Sequence, residues 1–106
     1  CMNEDYPVLL GNIFGVKHPI DLERLLSKHG VHSESNQYSL RISEYDYFKV
    51  EFDHGINQIF SDADTIEELI NRARRISEIL TLEQIQHGFE IYDDSGDILV
   101  AEFRYE

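Results

Sequence analysis

Three stretches of this chain combine residue types whose spacing can do chemistry. His29-Gly30-Val31-His32, with Glu34 close behind, has a spacing that a metal ion accepts. A zinc site needs three or four convergent ligands, and nothing in the sequence brings His18, His54 or His87 to join them. His29 is accounted for equally well as a cation in the last turn of a helix. Asp93-x-Ser95-x-Asp97 has the opening of a calcium loop. Its glycine, however, falls at the fourth position instead of the sixth, and Arg104 stands where the twelfth-position Glu belongs. A hairpin turn is the simpler reading. Tyr45-Asp46-Tyr47 is of another kind: if 45–52 is a strand with Phe48, Val50 and Phe52 inward, Tyr45 and Tyr47 share the outward face. An exposed Tyr beside a carboxylate is a frequent composition for protein-binding hot spots, where the ring supplies area and the acid meets a cation. Rings that merely cover a sheet or pack under a helix are the alternative.

No stretch matches G-x-S-x-G, a P-loop, G-x-G-x-x-G or H-E-x-x-H. Carboxylates are abundant, but no two stand out as an acid and a base in different environments. No catalytic residue, metal or cofactor is therefore expected, and the chain reads as a non-enzyme.

The 106 residues suit one domain with a core of its own, and 42% of them are apolar, with six Tyr, six Phe and no Trp. The longest apolar run, Ile98 to Ala101, is far shorter than the roughly 20 residues that cross a bilayer. No basic n-region precedes an apolar stretch, so no signal peptide is expected. The single cysteine, Cys1, directly precedes Met2 and is set aside as an expected non-native addition. The remaining chain has no thiol, which fits a cytoplasmic protein.

Period and punctuation give the elements. Residues 2–18 leave a short strand and a packed loop both open, because Gly11 and Gly15 interrupt Val8-Leu9-Leu10 and Ile13-Phe14. Pro19 opens a helix over 19–29, with Leu22, Leu25 and Leu26 on one face and Gly30 after its end. Ser33 to Asn36 reads as a polar loop. Tyr38, Leu40 and Ile42 alternate with polar residues, as do Phe48, Val50 and Phe52; Asp53-His54-Gly55 is a turn signal, and Ile56 to Phe60 follows. These are three antiparallel strands. A helix spans 65–80, with Asp64 as N-cap, Glu67 reaching back to it, and Ile66, Leu69, Ile70, Ala73, Ile76 and Leu80 as the apolar stripe. Residues 82–88 fit either helix or strand. Asp93 to Asp97 is a turn, and a last strand runs from Ile98 to Tyr105 with Leu99, Ala101 and Phe103 on one face. The expected fold is α+β: a mostly antiparallel sheet of about five strands with two main helices on one face.

The net charge is −12, from 21 acidic and 9 basic residues. It is uneven: residues 44–68 and 78–106 carry −7 each, while 69–77 carry only Arg72, Arg74 and Arg75. Such a field opposes phosphate backbones and anionic membranes, so neither nucleic acid nor a membrane is an expected partner. It also favours a monomer or at most a weak dimer. In size, charge, lack of Cys and Tyr/Asp interleaving, the chain resembles bacterial immunity proteins, the small acidic antidotes of nuclease toxins. That resemblance implies a basic protein partner, a toxin or nuclease whose phosphate-holding site an acidic surface can occlude. The residues expected to meet it are Glu44, Tyr45, Asp46, Tyr47, Glu51, Asp53, Asp62, Asp93, Asp94 and Asp97. Two other readings stand beside it. One is a phage-type DNA mimic, whose acids would follow an elongated surface; the other is a housekeeping domain whose carboxylates only keep it soluble and its strand edges unpaired.

Overall fold

The computed structural model describes residues 6–53 and 56–106. Cys1 to Asp5, His54 and Gly55 lie outside the described residues, and with them part of the expected Asp53-His54-Gly55 turn. The elements are β1 (Val8–Phe14), α1 (Pro19–Lys28), β2 (Ser33–Ser35), β3 (Ser39–Ile42), β4 (Phe48–Asp53), β5 (Ile56–Asp62), α2 (Ile66–Leu82), β6 (His87–Tyr92) and β7 (Leu99–Tyr105). The fold is α+β, as expected, but the sheet has seven antiparallel strands and not about five, in the order β2-β3-β4-β5-β1-β6-β7.

The two additional strands are those whose composition hides them. β1 carries Gly11 and Asn12 in its middle, so its apolar alternation is broken. It nevertheless lies between β5 and β6, with Leu9 and Ile13 fully buried. β2 is Ser-Glu-Ser, a three-residue edge strand beside β3. Its serines turn toward α1, where the Ser35 hydroxyl donates to Glu23. A short polar edge also discourages strand addition from outside.

One register row explains why both helices lie on the same face. Ser35, Leu40, Val50, Ile59, Gly11, Phe89 and Phe103 pair consecutively across all seven strands. Because side chains alternate along a strand, this row and its second neighbours all point to one side. There they meet Leu22 and Leu26 of α1 and Leu69, Ala73, Ile76 and Leu80 of α2 in one core. α1 covers the β2–β3 flank, and α2 covers β6, β7 and β1. Among the described residues, no helix lies on the opposite face of the sheet.

Both helices end in the same motif from different sequences. After α1, Gly30 (φ +85°) donates to Ser27 O and Val31 N to Leu26 O. After α2, Gln84 takes the left-handed conformation (φ 60°), donating to Thr81 O, while Ile85 N reaches Leu80 O. These are Schellman pairings, and the second settles 82–88: helix to Leu82, then strand from His87. At the start of α2 the expected cap is displaced by one residue. Thr65, not Asp64, accepts from the Glu68 amide (3.1 Å), and its hydroxyl donates to the Glu68 carboxylate (3.3 Å). Thr65 thereby satisfies the orphan Glu68 amide, as Asp64 would have satisfied that of Glu67. Ile66 and Ile70 are only half-buried, and Ile79 joins the buried side in their stead. In β7 a register shift between Ile91 and Tyr92 brings Leu99 opposite Tyr92 and leaves it 48% exposed, so it does not share the buried side of Ala101 and Phe103.

Gly11 lies opposite Phe89 in the β1–β6 pairing, with the backbone of β6 close against it. A Cβ there would collide with the Gly88 carbonyl and lie 3.0 Å from the Phe89 Cα and the Ile59 side chain. Backbone on the far side cannot move away as a side chain can. Gly88 differs, since a Cβ there meets only the mobile end of Arg104, at 2.8 Å. Gly11→Ala is expected to lower unfolding free energy by about 2–3 kcal/mol in urea titration, and Gly88→Ala by under about 1 kcal/mol.

Candidate functional site

Strand register brings four chain segments to one end of the sheet. Val8 pairs with Asp62 and Tyr92, Phe48 with Ser61, and Tyr92 with Leu99. The connection 43–47, the β5–α2 connection, the 93–98 turn and the Tyr6-Pro7 entry to β1 therefore share that end. Glu44, Asp46, Asp64, Asp93, Asp94 and Asp97 lie in these segments, and Asp62 ends β5 beside them. The four segments contain no Lys, Arg or His, while the α1–β2 connection, with His29 and His32, reaches the same end next to Ser43. Two acidic stretches far apart in sequence thus become one acidic end. Eight of the ten expected partner-binding residues, Glu44, Tyr45, Asp46, Tyr47, Asp62, Asp93, Asp94 and Asp97, are on it. Glu51 and Asp53 are not: they lie along β4 on the uncovered face, and Glu51 pairs with Lys49 at 3.0 Å.

Arginines of α2 fasten part of this end from beneath. Arg75 bonds the Glu44 carboxylate at 2.9 Å, and the His32 amide donates to the other oxygen at 3.2 Å. The amide, with Arg75 adding to it, holds the Glu44 carboxyl below the usual carboxylate range. The Arg72 guanidinium lies 5.0 Å over the Tyr45 ring, which packs on Phe48 with centroids 5.6 Å apart. Tyr45 and Tyr47 consequently do not share an outward face. β4 begins only at Phe48, and the turn before it rolls Tyr45 in against the core while Tyr47 stays 38% exposed. Glu44 and Tyr45 thus hold the loop in place, while Asp46 and Tyr47 are presented to solvent.

The β6–β7 turn is built from its own acids. Asp93 accepts from the Ser95 hydroxyl (2.6 Å) and amide (3.1 Å), and the hydroxyl foremost keeps its carboxyl below the usual range. Asp94 and Asp97 are exposed beside it. The pattern read as a calcium-loop opening is this hairpin turn, with Gly96 supplying the positive φ. His29 bonds Glu83 at 2.7 Å and His32 is exposed. Among the described residues no three His, Cys, Asp or Glu side chains group as a metal site, and no helix is long and apolar enough to cross a membrane.

One pair with chemical potential was not visible in the sequence. Ser77 Oγ lies 2.7 Å from His87 Nε2, and His87 Nδ1 lies 2.8 Å from the Ile85 carbonyl. A carbonyl only accepts, so Nδ1 carries the hydrogen and the serine hydroxyl donates to Nε2. A hydroxyl on an imidazole is the start of a nucleophile–base pair. Here, however, both residues are buried, His87 at 1% exposure, and a backbone carbonyl occupies the place of an orienting carboxylate. The pair satisfies buried polar groups under α2.

A face without helices is expected, but the apolar strip along its middle is not, because it depends on β1, where the sequence leaves strand and loop both open. The strip holds Leu10 (42% exposed), Ile56 (57% exposed), Phe14 and Phe60, with charged residues on either side. Comparison with protein-family models, with curated proteins and with solved structures finds no match.

Two outcomes follow from this geometry. Tyr45→Ala should cost about 2 kcal/mol in unfolding free energy, from lost ring burial and the cation–π contact, while Tyr47→Ala should cost under about 0.5 kcal/mol in the same titration. Burial pushes the His87 imidazole below its ordinary 6.5, against a smaller upward pull from the Ile85 carbonyl. The unfolded chain therefore binds this proton first: the stability His87 contributes is whole above pH 6.5 and is lost as pH falls through the depressed folded value. Melting temperatures between pH 7.5 and 5 should show this loss, and a Ser77→Ala/His87→Leu chain should lack that component.

Proposed function

We propose that this domain is a protein-binding inhibitor whose acidic sheet end occupies the basic site of a partner, as an immunity protein does with a nuclease toxin. The observation that carries this reading is the gathering of seven carboxylates at one end, in segments without a cation. Nuclease sites are positive because they hold phosphate, so an acidic end attracts them at a distance and then competes for the same groups. Exposed Asp46 and Tyr47 and the Asp94/Asp97 turn are the groups offered for contact. The domain measures 34 × 27 × 26 Å. That shape gives no long row of phosphate-like spacing, which weighs for an inhibitor of a basic protein over a DNA mimic.

The test is kinetic. Capture from the native host on immobilised protein should recover a basic protein. Reversal of three exposed acids together (Asp46→Lys, Asp94→Lys, Asp97→Lys) should slow its association at least about tenfold at low ionic strength and flatten the salt dependence. Glu106→Lys, beyond β7 at the opposite end, should change neither. Recovery of no basic protein, or of one whose association ignores the triple reversal, defeats the reading.

A further inference from the structure

The uncovered face carries a charge pattern of its own, separate from the acidic end. Register sets its side chains in rows across the strands. One row, from β3 to β7, is Arg41, Lys49, Phe60, Leu10, Glu90 and Glu102. It reads as two cations, two apolar side chains and two carboxylates. The next row is Ser39, Glu51, Gln58, Asn12, Gly88 and Arg104. In it the Arg104 side chain lies over Gly88, within 2.8 Å of where a Cβ would be. Its guanidinium bonds Glu90 (3.1 Å) and Glu102 (2.8 Å) of the first row, as Lys49 bonds Glu51 (3.0 Å) on the other side. An acid on β4 is thus answered by a cation above β6, and the sign order of the first row is reversed. Beyond it Ile56 pairs with Phe14, again apolar on both sides of the β5–β1 midline.

Reflected across that midline, β5 corresponds to β1, β4 to β6 and β3 to β7. From β3 to β7 each charge in the two rows then falls on its opposite, Lys49 on Glu90, Arg41 on Glu102 and Glu51 on the Arg104 guanidinium, while Glu34, beside Arg41 on β2, overhangs the reflected edge. The uncharged pairs match as well, Phe60 with Leu10, Ile56 with Phe14, and Gln58 with Asn12. This is the antisymmetry of a self-complementary surface. A two-fold axis lying in the face and along the midline turns a second copy so that these pairs meet.

We propose that the uncovered face is the docking site for a second copy of this chain, forming a two-fold dimer whose axis runs along β5 and β1. The other two-fold in the same plane, across the strands, is inferior. Set between the two rows it lays Phe60 and Leu10 on the amides of Gln58 and Asn12; set on the first row it stacks Lys49 on Lys49. Only the axis along the strands satisfies charges and apolar groups together. Two sheets facing each other with strands about 30° apart and about 10 Å between them is an established packing mode. Seven strands spaced about 4.8 Å apart and roughly 20 Å long give a face of about 600 Å² in projection, close to the about 800 Å² per partner of a stable interface. Of the acidic end only Asp62, which ends β5 on this face, borders the contact. The exposed acids Asp46, Asp94 and Asp97 of the inhibitor reading stay outside it, so the two proposals can be tested apart.

The test is a charge exchange read by sedimentation velocity from about 1 to 500 μM in about 150 mM salt, where screening acts over about 8 Å. The unaltered chain should pass from monomer to dimer within that range. Lys49→Glu alone and Glu90→Lys alone should each weaken self-association at least about tenfold, because each sets like charges against one another. Mixed together, the two altered chains should dimerise with each other, since position 49 of each again meets an opposite charge at position 90. That rescue cannot come from chains that have unfolded. Leu10→Asp, with folding checked by circular dichroism, should abolish the dimer. A chain that stays monomeric throughout, a dimer indifferent to Lys49→Glu, or a mixture that fails to associate overturns the proposal. So do shifts of the Leu10 methyl and Phe60 ring NMR signals that appear only when a different, basic protein is added.

Discussion

β1 reaches its neighbours across the whole length of the chain, and the sheet depends on it doing so. Without it, β2 to β5 form a meander beside α1, and β6 with β7 form a hairpin under α2. Neither half closes a core alone: the buried row from Leu40 to Phe103 passes through position 11. That junction is tight enough that position 11 has no room for a side chain. The glycine costs strand propensity and entropy. The return is a backbone approach that lets Ile59 and Phe89, on either side, close over the gap. Pairings of such long sequence separation carry a high loop-closure cost, and β1 is the strand that joins the two halves into one sheet.

The same strand explains where sequence reading succeeded and where it stopped. Period announces an element when the buried side is apolar, as in α1, β3 and β4. The long stripe of α2 carries it despite the buried Ser77, and β5 is legible as the run Ile56 to Phe60 although its inward Asn57 and Ser61 are polar. In β1 the central inward residue is Gly11, and in β2 the inward residues are Ser33 and Ser35; neither leaves an alternation to find. Caps carry a similar ambiguity. Asp64/Glu67 and Thr65/Glu68 are both valid boxes one residue apart, and only the backbone decides between them. The end of α2 was indistinct because Gln84 occupies a left-handed position that usually belongs to glycine. Tyr45 was assigned outward by continuing the β4 alternation past Phe48, where the strand stops and the turn inverts the side chain.

Charge followed a different rule. A sum along the sequence found two acidic segments around a basic one, but not their relation in space. Antiparallel pairing folds the acids of 44–46, 62–64 and 93–97 to one end. The arginines between them in sequence serve other positions: Arg72 and Arg75 lie beneath the 43–47 connection, and Arg74 is 6.0 Å over the Phe103 ring. The basic helix therefore braces the acidic end more than it offsets it. Ion pairs this exposed contribute little to stability. Their value lies in fixing the loop from which Asp46 and Tyr47 project.

Acidic end and uncovered face make opposed demands on the field. An axis along the strands keeps the acidic ends of two copies at the same end of a dimer, side by side. With −12 on each chain, the long-range repulsion opposes association, and at physiological salt it decays over about 8 Å. In the proposed dimer the paired charges on the face would meet at contact distance, where screening is weak, and the apolar strip between them carries no charge for salt to screen. Geometry thus sets which term governs which distance: repulsion limits the approach of two copies, and complementarity decides whether a collision holds. The same repulsion, concentrated at one end, becomes attraction toward any cationic surface. Two acidic ends held adjacent would present that attraction twice to a single basic partner.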